Sequence, residues 1–390
     1  MLKSSLLALG LLAATFTGAA RADETPIKIG VIASYSGPYA DYGRQFDDGI
    51  ALYLKEHDGK LAGHPVEIIR KDVPGAQPDL AKRAAQELAV KDKVTFFAGL
   101  DFSPNAYAVG DVAKQAKIPA IVMNASSSAI TTRSPYVARV SFTVQQVSDP
   151  MARWALKDGI KKVYTVVADY GPGGDSESAF EKAFTAGGGT IVGKVRVPLN
   201  NPDFSAYVQR IKDDKPEAVF FFFPSGVLPP AFLKAAKERG LEEAGIKLIA
   251  TGEATDDSYL EATGDVALGL ITAHHYSYAH DSEKNKKFIE GIYEVSGKKL
   301  RPSYFAVAAY DGMAALDGAL EKTGGDVSGD KIMAALAGLK IDSPRGPIMI
   351  DPETRDIVQT VYIRRTEKVN GELVNVEFDK FENVKDPAKM

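Results

Sequence analysis

The sequence predicts an α/β protein made of two doubly wound parallel-sheet lobes, and three observations carry that prediction. Short β-branched or aromatic runs alternate with helix-length amphipathic windows from Ile27 onward, the pattern of parallel strands flanked by helices. The alternation occurs twice, once before and once after about residue 145. No low-complexity tract or Ser/Gly linker separates the halves. Several short crossovers would therefore join the lobes instead of one tether, an arrangement suited to hinge closure.

The first element is a leader. Met1-Leu2-Lys3 is cationic, residues 6–14 are apolar, and small residues lead to Ala20-Arg21-Ala22. This is the pattern of a secretory signal peptide cleaved after Ala22. Thr15 and Thr17 interrupt the apolar run, which falls short of the roughly 20 residues that a membrane-spanning helix needs. The expected mature chain starts at Asp23 and holds no later run apolar enough to span.

Strands are expected over 27–33, 66–70, 94–98, 120–123, 163–168, 218–222, 247–250 and 270–273, with helices such as 79–91, 106–117, 176–186 and 230–239 between them. Residues 281–339 read as mainly helical. Residues 348–381 read as strands, with turns at Asp351-Pro352 and Asn370-Gly371. Lobe 1 is assigned to 23–143 and 277–345, lobe 2 to 144–276 and 346–390.

Composition narrows the function classes. The chain has no cysteine, which excludes disulfides, thiol catalysis and cysteine-ligated metal. A 45% hydrophobic content over 390 residues supplies two cores. With the leader's Lys3 and Arg21 removed, 45 basic residues face 51 acidic ones, a net charge of −6. Such a mixed, mildly acidic surface argues against nucleic acid as a partner.

In parallel α/β sheets the crevice lies beyond the carboxyl ends of the strands. The segments there are Ser34-Tyr35-Ser36-Gly37-Pro38-Tyr39-Ala40-Asp41-Tyr42-Gly43, Gly99-Leu100-Asp101-Phe102-Ser103 and Asn124-Ala125-Ser126-Ser127-Ser128. The last two lead into expected helices, whose free N–H groups and serine hydroxyls suit a ligand carboxylate. Ordinary serine N-caps would look the same. The second half contributes Asp169-Tyr170-Gly171-Pro172-Gly173-Gly174, Phe222-Phe223-Pro224-Ser225-Gly226 and Thr251-Gly252-Glu253-Ala254-Thr255-Asp256. Tyr170 is a candidate aromatic wall. Glu253 is either the partner of a ligand cation or a solvated or capping acid.

Enzyme signatures are weak. Gly171-Pro172-Gly173 lacks the third glycine of a dinucleotide fingerprint, and 188–194 imitates a phosphate loop in the wrong helix–strand order. No G-x-S-x-G or H-E-x-x-H motif occurs. His274-His275 and His280 fit no common metal spacing, so a structural role near a crossover is expected of them. Neither catalysis nor a cofactor is expected.

As a set, Ser36-Gly37-Pro38 with Asp41-Tyr42-Gly43, the Ser103 loop, Asn124-Ala125-Ser126, Asp169-Tyr170-Gly171, Asp203-Phe204-Ser205 and Tyr310-Asp311-Gly312 resemble the leucine/isoleucine/valine-binding proteins of ABC importers. The resemblance covers the whole mature chain. It implies a type I periplasmic binding protein with a three-crossover hinge that delivers a small carboxylate-bearing ligand to an inner-membrane permease, and a monomer in the periplasm. Carried over position by position, it places Ser103, the Ala125 backbone and Ser126 on the ligand carboxylate, Tyr42 and Tyr170 along the walls and Glu253 on an α-ammonium. Phe102 stands where some relatives have a disulfide cysteine, and Phe223-Pro224-Ser225 replaces a common Gly-Tyr pair, which brings Phe102 and Ser225 into the site and leaves the ligand side chain open. The resemblance implies a hydrophobic branched-chain or aromatic amino acid as ligand. The alternative is an aromatic carboxylate of the benzoate type.

Overall fold

The computed structural model describes residues 25–390 except Asn201, Lys298 and Lys299, so the expected signal peptide lies outside the described residues. The first sheet contains β1 (Ile27–Ala33), β2 (Lys60–Leu61), β3 (His64–Asp72), β4 (Phe96–Gly99), β5 (Ala120–Val122) and β6 (Val137–Arg139), in the order β2-β3-β1-β4-β5-β6. Every pairing is parallel except β2 with β3.

The second sheet contains β7 (Lys162–Ala168), β8 (Thr190–Val197), β9 (Ala218–Phe222), β10 (Lys247–Thr251), β11 (Ile271–His274), β12 (Lys340–Ser343), β13 (Gly346–Ile350), β14 (Ile357–Val369) and β15 (Glu372–Val384). Its order is β12-β13-β14-β11-β10-β9-β7-β8, with β15 on β14. Strands β7 to β11 are parallel, whereas β11–β14 and the hairpins after it are antiparallel. The second lobe is therefore a mixed sheet, its parallel strands continued by antiparallel ones, because the chain returns through β14 and turns straight back at the expected Asn370-Gly371 turn. Both turn residues have positive φ, 52° and 90°, which suits a tight hairpin.

Burial explains why the central strands were legible. In β9 every residue of Ala-Val-Phe-Phe-Phe is buried, the continuous apolar run of a strand covered on both faces. Strands β2, β6 and β8 escaped the sequence reading. The first two are very short, and β8 is half-exposed with lysine and arginine among its residues.

The chain crosses between the sheets through residues 140–143 and 275–281, and again around β13 and β14. Thr143 and Gln146 form a capping box that starts the helix Val144–Lys157 at the first crossing. At the third, the buried Arg345 binds Asp311 at 2.9 Å and donates to the Val140 and Ser141 carbonyls and to Gln359. One cation thus ties two crossovers together.

Residues 351–356 and 385–389, which the sequence reading places with the second lobe, lie against 128–139 of the first. Arg139 and Asp356 form a fully buried ion pair at 3.1 Å. Lys389 reaches Asp356 and the Thr131 hydroxyl, and Ser128 donates to Asp386.

Candidate functional site

The carboxyl ends of β1, β4, β5, β7, β9 and β10 converge on one narrow cleft lined from both sheets. Tyr42, Phe102, Ser103, Ser126, Tyr170, Ser225 and Glu253 all line it. Asp101, Asn124, Phe142, Pro172, Phe222, Pro224 and Tyr304 complete the wall. Phe142 and Tyr304 were not singled out from the sequence. Phe142 follows β6, a strand the sequence reading missed, and Tyr304 opens the helix Tyr304–Thr323, so neither lay after an expected strand, the signal used to find the rest.

Local backbone geometry sets the serine end. Gly99 and Leu100 both have positive φ, 90° and 62°, an unusual conformation for leucine and one that clusters at functional sites. That turn delivers Asp101, Phe102 and Ser103. Asp101 is not a ligand partner: its carboxylate accepts from the Ser34 hydroxyl at 2.5 Å, the Ser34 amide at 2.8 Å and the Phe102 amide at 2.9 Å. Burial nonetheless pushes its pKa up to about 6. Ser103 is not an N-cap either, because Phe102 occupies that position. Its hydroxyl accepts from the Ser127 amide at 3.1 Å and so staples the two ligand loops together.

Two expectations at this end need correction. The Ala125 amide donates to the Leu100 carbonyl at 2.9 Å, so it is committed to the fold and is not a carboxylate donor. The Ser126 loop leads only into the single turn Ile130–Arg133, which provides no developed helix dipole. The hydroxyls of Ser103 and Ser126 and the true helix Ser103–Ala116 are what remain for an anion.

Aromatic rings form the walls. Tyr42 stacks on Phe305 at 4.0 Å and lies nearly parallel to Phe102 at 5.9 Å. From the other sheet, Tyr170 lies 12° from parallel with Phe222 at 6.1 Å. Tyr170 is delivered by the start of the helix Gly171–Ala186, which approaches β7 so closely that a Cβ on Gly173 would stand 1.8 Å from the Ala168 carbonyl. Gly173 is therefore a packing glycine, not a phosphate-loop one. Across the cleft, the Tyr42 hydroxyl donates to the Ser225 carbonyl at 2.6 Å, and Ser225 Oγ meets the Tyr304 hydroxyl at 2.8 Å.

Glu253 lines the same cavity from the loop after β10. It is 4% exposed, its Oε2 has no hydrogen-bond partner, and burial raises its pKa to about 7. The nearest ion-pair neighbour among the described residues is His274, at 3.8 Å from Nε2 to Oε2. Two further pieces of the sequence pattern are structural: Asp203 caps the helix Phe204–Asp214, and Asp311 pairs with Arg345. His280 is held by Glu377 at 2.9 Å.

Comparison with known proteins places this geometry in context. A periplasmic binding protein family model matches residues 26–371. The chain is 45% identical to Leu/Ile/Val-binding protein homolog 6 of Brucella melitensis over 383 residues, 98% of either chain. It resembles an ABC-transporter solute-binding protein from Rhodopseudomonas palustris BisB5 in complex with 3,4-dihydroxybenzoic acid, with 51% identity, TM-score 0.89 and coverage of 94% of this chain and 99% of that one. The corresponding protein of strain HaA2, in complex with p-hydroxybenzoic acid, is 44% identical with TM-score 0.91, covering 93% and 99%.

Proposed function

This chain belongs to the periplasmic binding protein family, and from that premise we propose that it is the solute-binding component of an ABC importer and closes on a hydroxybenzoate-type aromatic acid. The observation that carries the ligand class is the paired rings on both sides of the cleft: Tyr42 with Phe102 from one lobe and Tyr170 with Phe222 from the other line it, and aromatic faces favour a ring packed against them. The serine hydroxyls take the carboxylate, and Glu253 accepts a hydrogen bond from a ring hydroxyl. The hydroxybenzoate ligands of the two Rhodopseudomonas proteins support this reading.

A hydrophobic amino acid uses the same site. Its support is Glu253, whose unpartnered oxygen suits an ammonium, and the name of the Brucella relative. In either case the role is capture and release, with no covalent step, in the periplasm after cleavage at Ala22, as a monomer that hands its ligand to an inner-membrane permease.

Mass spectrometry of the small molecule that copurifies with the protein, followed by calorimetric titration with 4-hydroxybenzoate, 3,4-dihydroxybenzoate, benzoate, leucine and phenylalanine, tests the reading. Tight binding of the hydroxybenzoates is expected. Binding confined to the amino acids would replace the aromatic reading with the second one, and binding of none would remove both.

A further inference from the structure

His274 and His275 end β11 at the second crossover, both fully buried, and none of their four ring nitrogens has a hydrogen-bond partner among the described residues. Buried imidazoles are rarely left in that condition. His274 is also against the ligand site from behind. Its ring lies 4.5 Å from that of Tyr304 and 5.1 Å from that of Phe142, both cavity-lining residues. The backbone has been cleared for this approach: a Cβ on Gly252 would stand 2.3 Å from the His274 Cβ and 2.4 Å from Cδ2. Glycine is thus required at the residue immediately before Glu253.

The surrounding charges decide the form of the ring. Arg364 on β14 donates to the Gly252 carbonyl at 3.2 Å and the Tyr276 carbonyl at 2.5 Å, and Arg345 lies between β12 and β13. Burial, then Arg364 and Arg345, hold His274 well below the usual histidine range, so the ring is neutral. Glu253 faces the Thr251 hydroxyl and its own backbone amide, then His274, the charges of Arg364 and Asp256, and the hydroxyls of Tyr170 and Tyr304. His275 and Asp257 stand behind these. A neutral imidazole has one N–H to give, and Glu253 Oε2, itself unpartnered, is 3.8 Å from Nε2. For the two to bond, the carboxyl must turn toward Nε2.

We propose that His274 is a positioning residue for specificity: its Nε2–H holds one oxygen of an ionised Glu253 and leaves the other facing the cleft, so that the site selects ligands bearing a hydrogen-bond donor, hydroxyl or ammonium, in addition to their carboxylate. This rests on the reading that the cleft binds a small carboxylate. A donor-bearing ligand satisfies the acceptor, whereas a ligand lacking one buries Glu253 unpaired.

The test compares wild type, His274→Phe and His274→Gln by calorimetry with two ligand pairs, 4-hydroxybenzoate against benzoate and leucine against 4-methylpentanoate, from pH 6 to 8.5. The carboxyl of Glu253 is titrated in parallel by carbon-13 NMR in ligand-free protein. His274→Phe is expected to shrink the preference for the donor-bearing member at least about tenfold and to move the Glu253 titration upward. His274→Gln, which keeps a donor, should retain most of the preference. An unchanged preference and titration in folded His274→Phe would overturn the inference. Nitrogen-15 NMR of wild type needs no variant: a neutral Nε2-protonated His274 is expected, and the Nδ1 tautomer would overturn the inference. If wild type binds none of the four ligands, the functional reading fails while the Glu253 titration still decides the part played by His274.

Discussion

Tyr42 and Ser225, 183 residues apart, are joined across the cleft by a 2.6 Å hydrogen bond from the phenol to the serine carbonyl. Tyr42 belongs to the helix Ala40–Glu56 and Ser225 to the loop after β9, and both line the cavity. This contact between the lobes thus lies in the cavity wall. Tyr42→Phe keeps the ring and removes the lock. It is expected to weaken ligand binding by about 1 kcal/mol, roughly fivefold, mainly through faster dissociation. Stopped-flow kinetics would show this, and an unchanged dissociation rate would mean that the bond plays no part in closure.

The two serines at the carboxylate end separate in their expected effects. Ser103 also holds the Ser127 amide, so Ser103→Ala should lower both ligand affinity and the melting temperature. Ser126→Ala should cost about 1 to 3 kcal/mol of affinity, the usual value for a hydrogen bond to a charged group, with little change in the ligand-free melting temperature. Calorimetry and thermal denaturation of the pair decide the point.

Glu253→Gln separates the ligand classes by sign. An amino acid should lose roughly 2 to 5 kcal/mol, because a desolvated ammonium is left poorly paired. Benzoate should bind equally well or better once a negative charge is removed from an anion site, and 4-hydroxybenzoate should change little because the amide oxygen still accepts. A variant that binds leucine as tightly as wild type would remove the ammonium role.

The same substitution has a pH signature in ligand-free protein. Burial raises Glu253 to about 7, against about 4.3 for an unfolded glutamate. The native state therefore retains a proton that the unfolded state has lost, so wild-type stability falls as pH rises through this window and levels above it, by at most roughly 4 kcal/mol. His274 and His275, both held low mainly by burial, oppose this trend because only the unfolded state binds their protons as pH falls below about 6.5. The difference between Glu253→Gln and wild type isolates the carboxyl. Melting temperatures at pH 5, 6, 7 and 8 should diverge in favour of the variant as pH rises, whereas a constant difference would contradict a raised pKa.

The C-terminal segment braces the ligand loop. Asp386 accepts from Ser128, two residues beyond Ser126, and Lys389 joins the buried Asp356. Removal of residues 386–390 should destabilise the protein by about 1 to 3 kcal/mol and weaken binding through the loosened loop. Urea unfolding and calorimetry of the truncated chain measure both, and equal affinity would confine the segment to a stabilising role.

Much of the architecture was legible because the parallel strands carry their burial in their own composition. Ala218–Phe222 coincides with an expected strand because a strand covered on both faces needs an unbroken apolar run, and Ile27–Ala33 does so through its β-branched residues despite Lys28. The strand-end rule then located Tyr42, Phe102, Ser103, Ser126, Tyr170, Ser225 and Glu253 beside the cavity. It failed at Ala125, whose amide is taken by Leu100, because the destination of a backbone N–H is set by the neighbouring strand and not by its own residue.

By itself, then, the sequence determined the two α/β halves, the absence of disulfides, the polar strand ends and the family resemblance, all of which depend on residues near one another along the chain. Only the tertiary structure decided that Phe142 and Tyr304 complete the walls, that Ser103 holds the Ser127 amide, that the C-terminal segment returns to the Ser126 loop, and that His274 stands behind Glu253. Each of these joins segments whose approach is settled by the packing of whole lobes and crossovers. Side-chain periodicity records which face of an element is buried, but not what it is buried against.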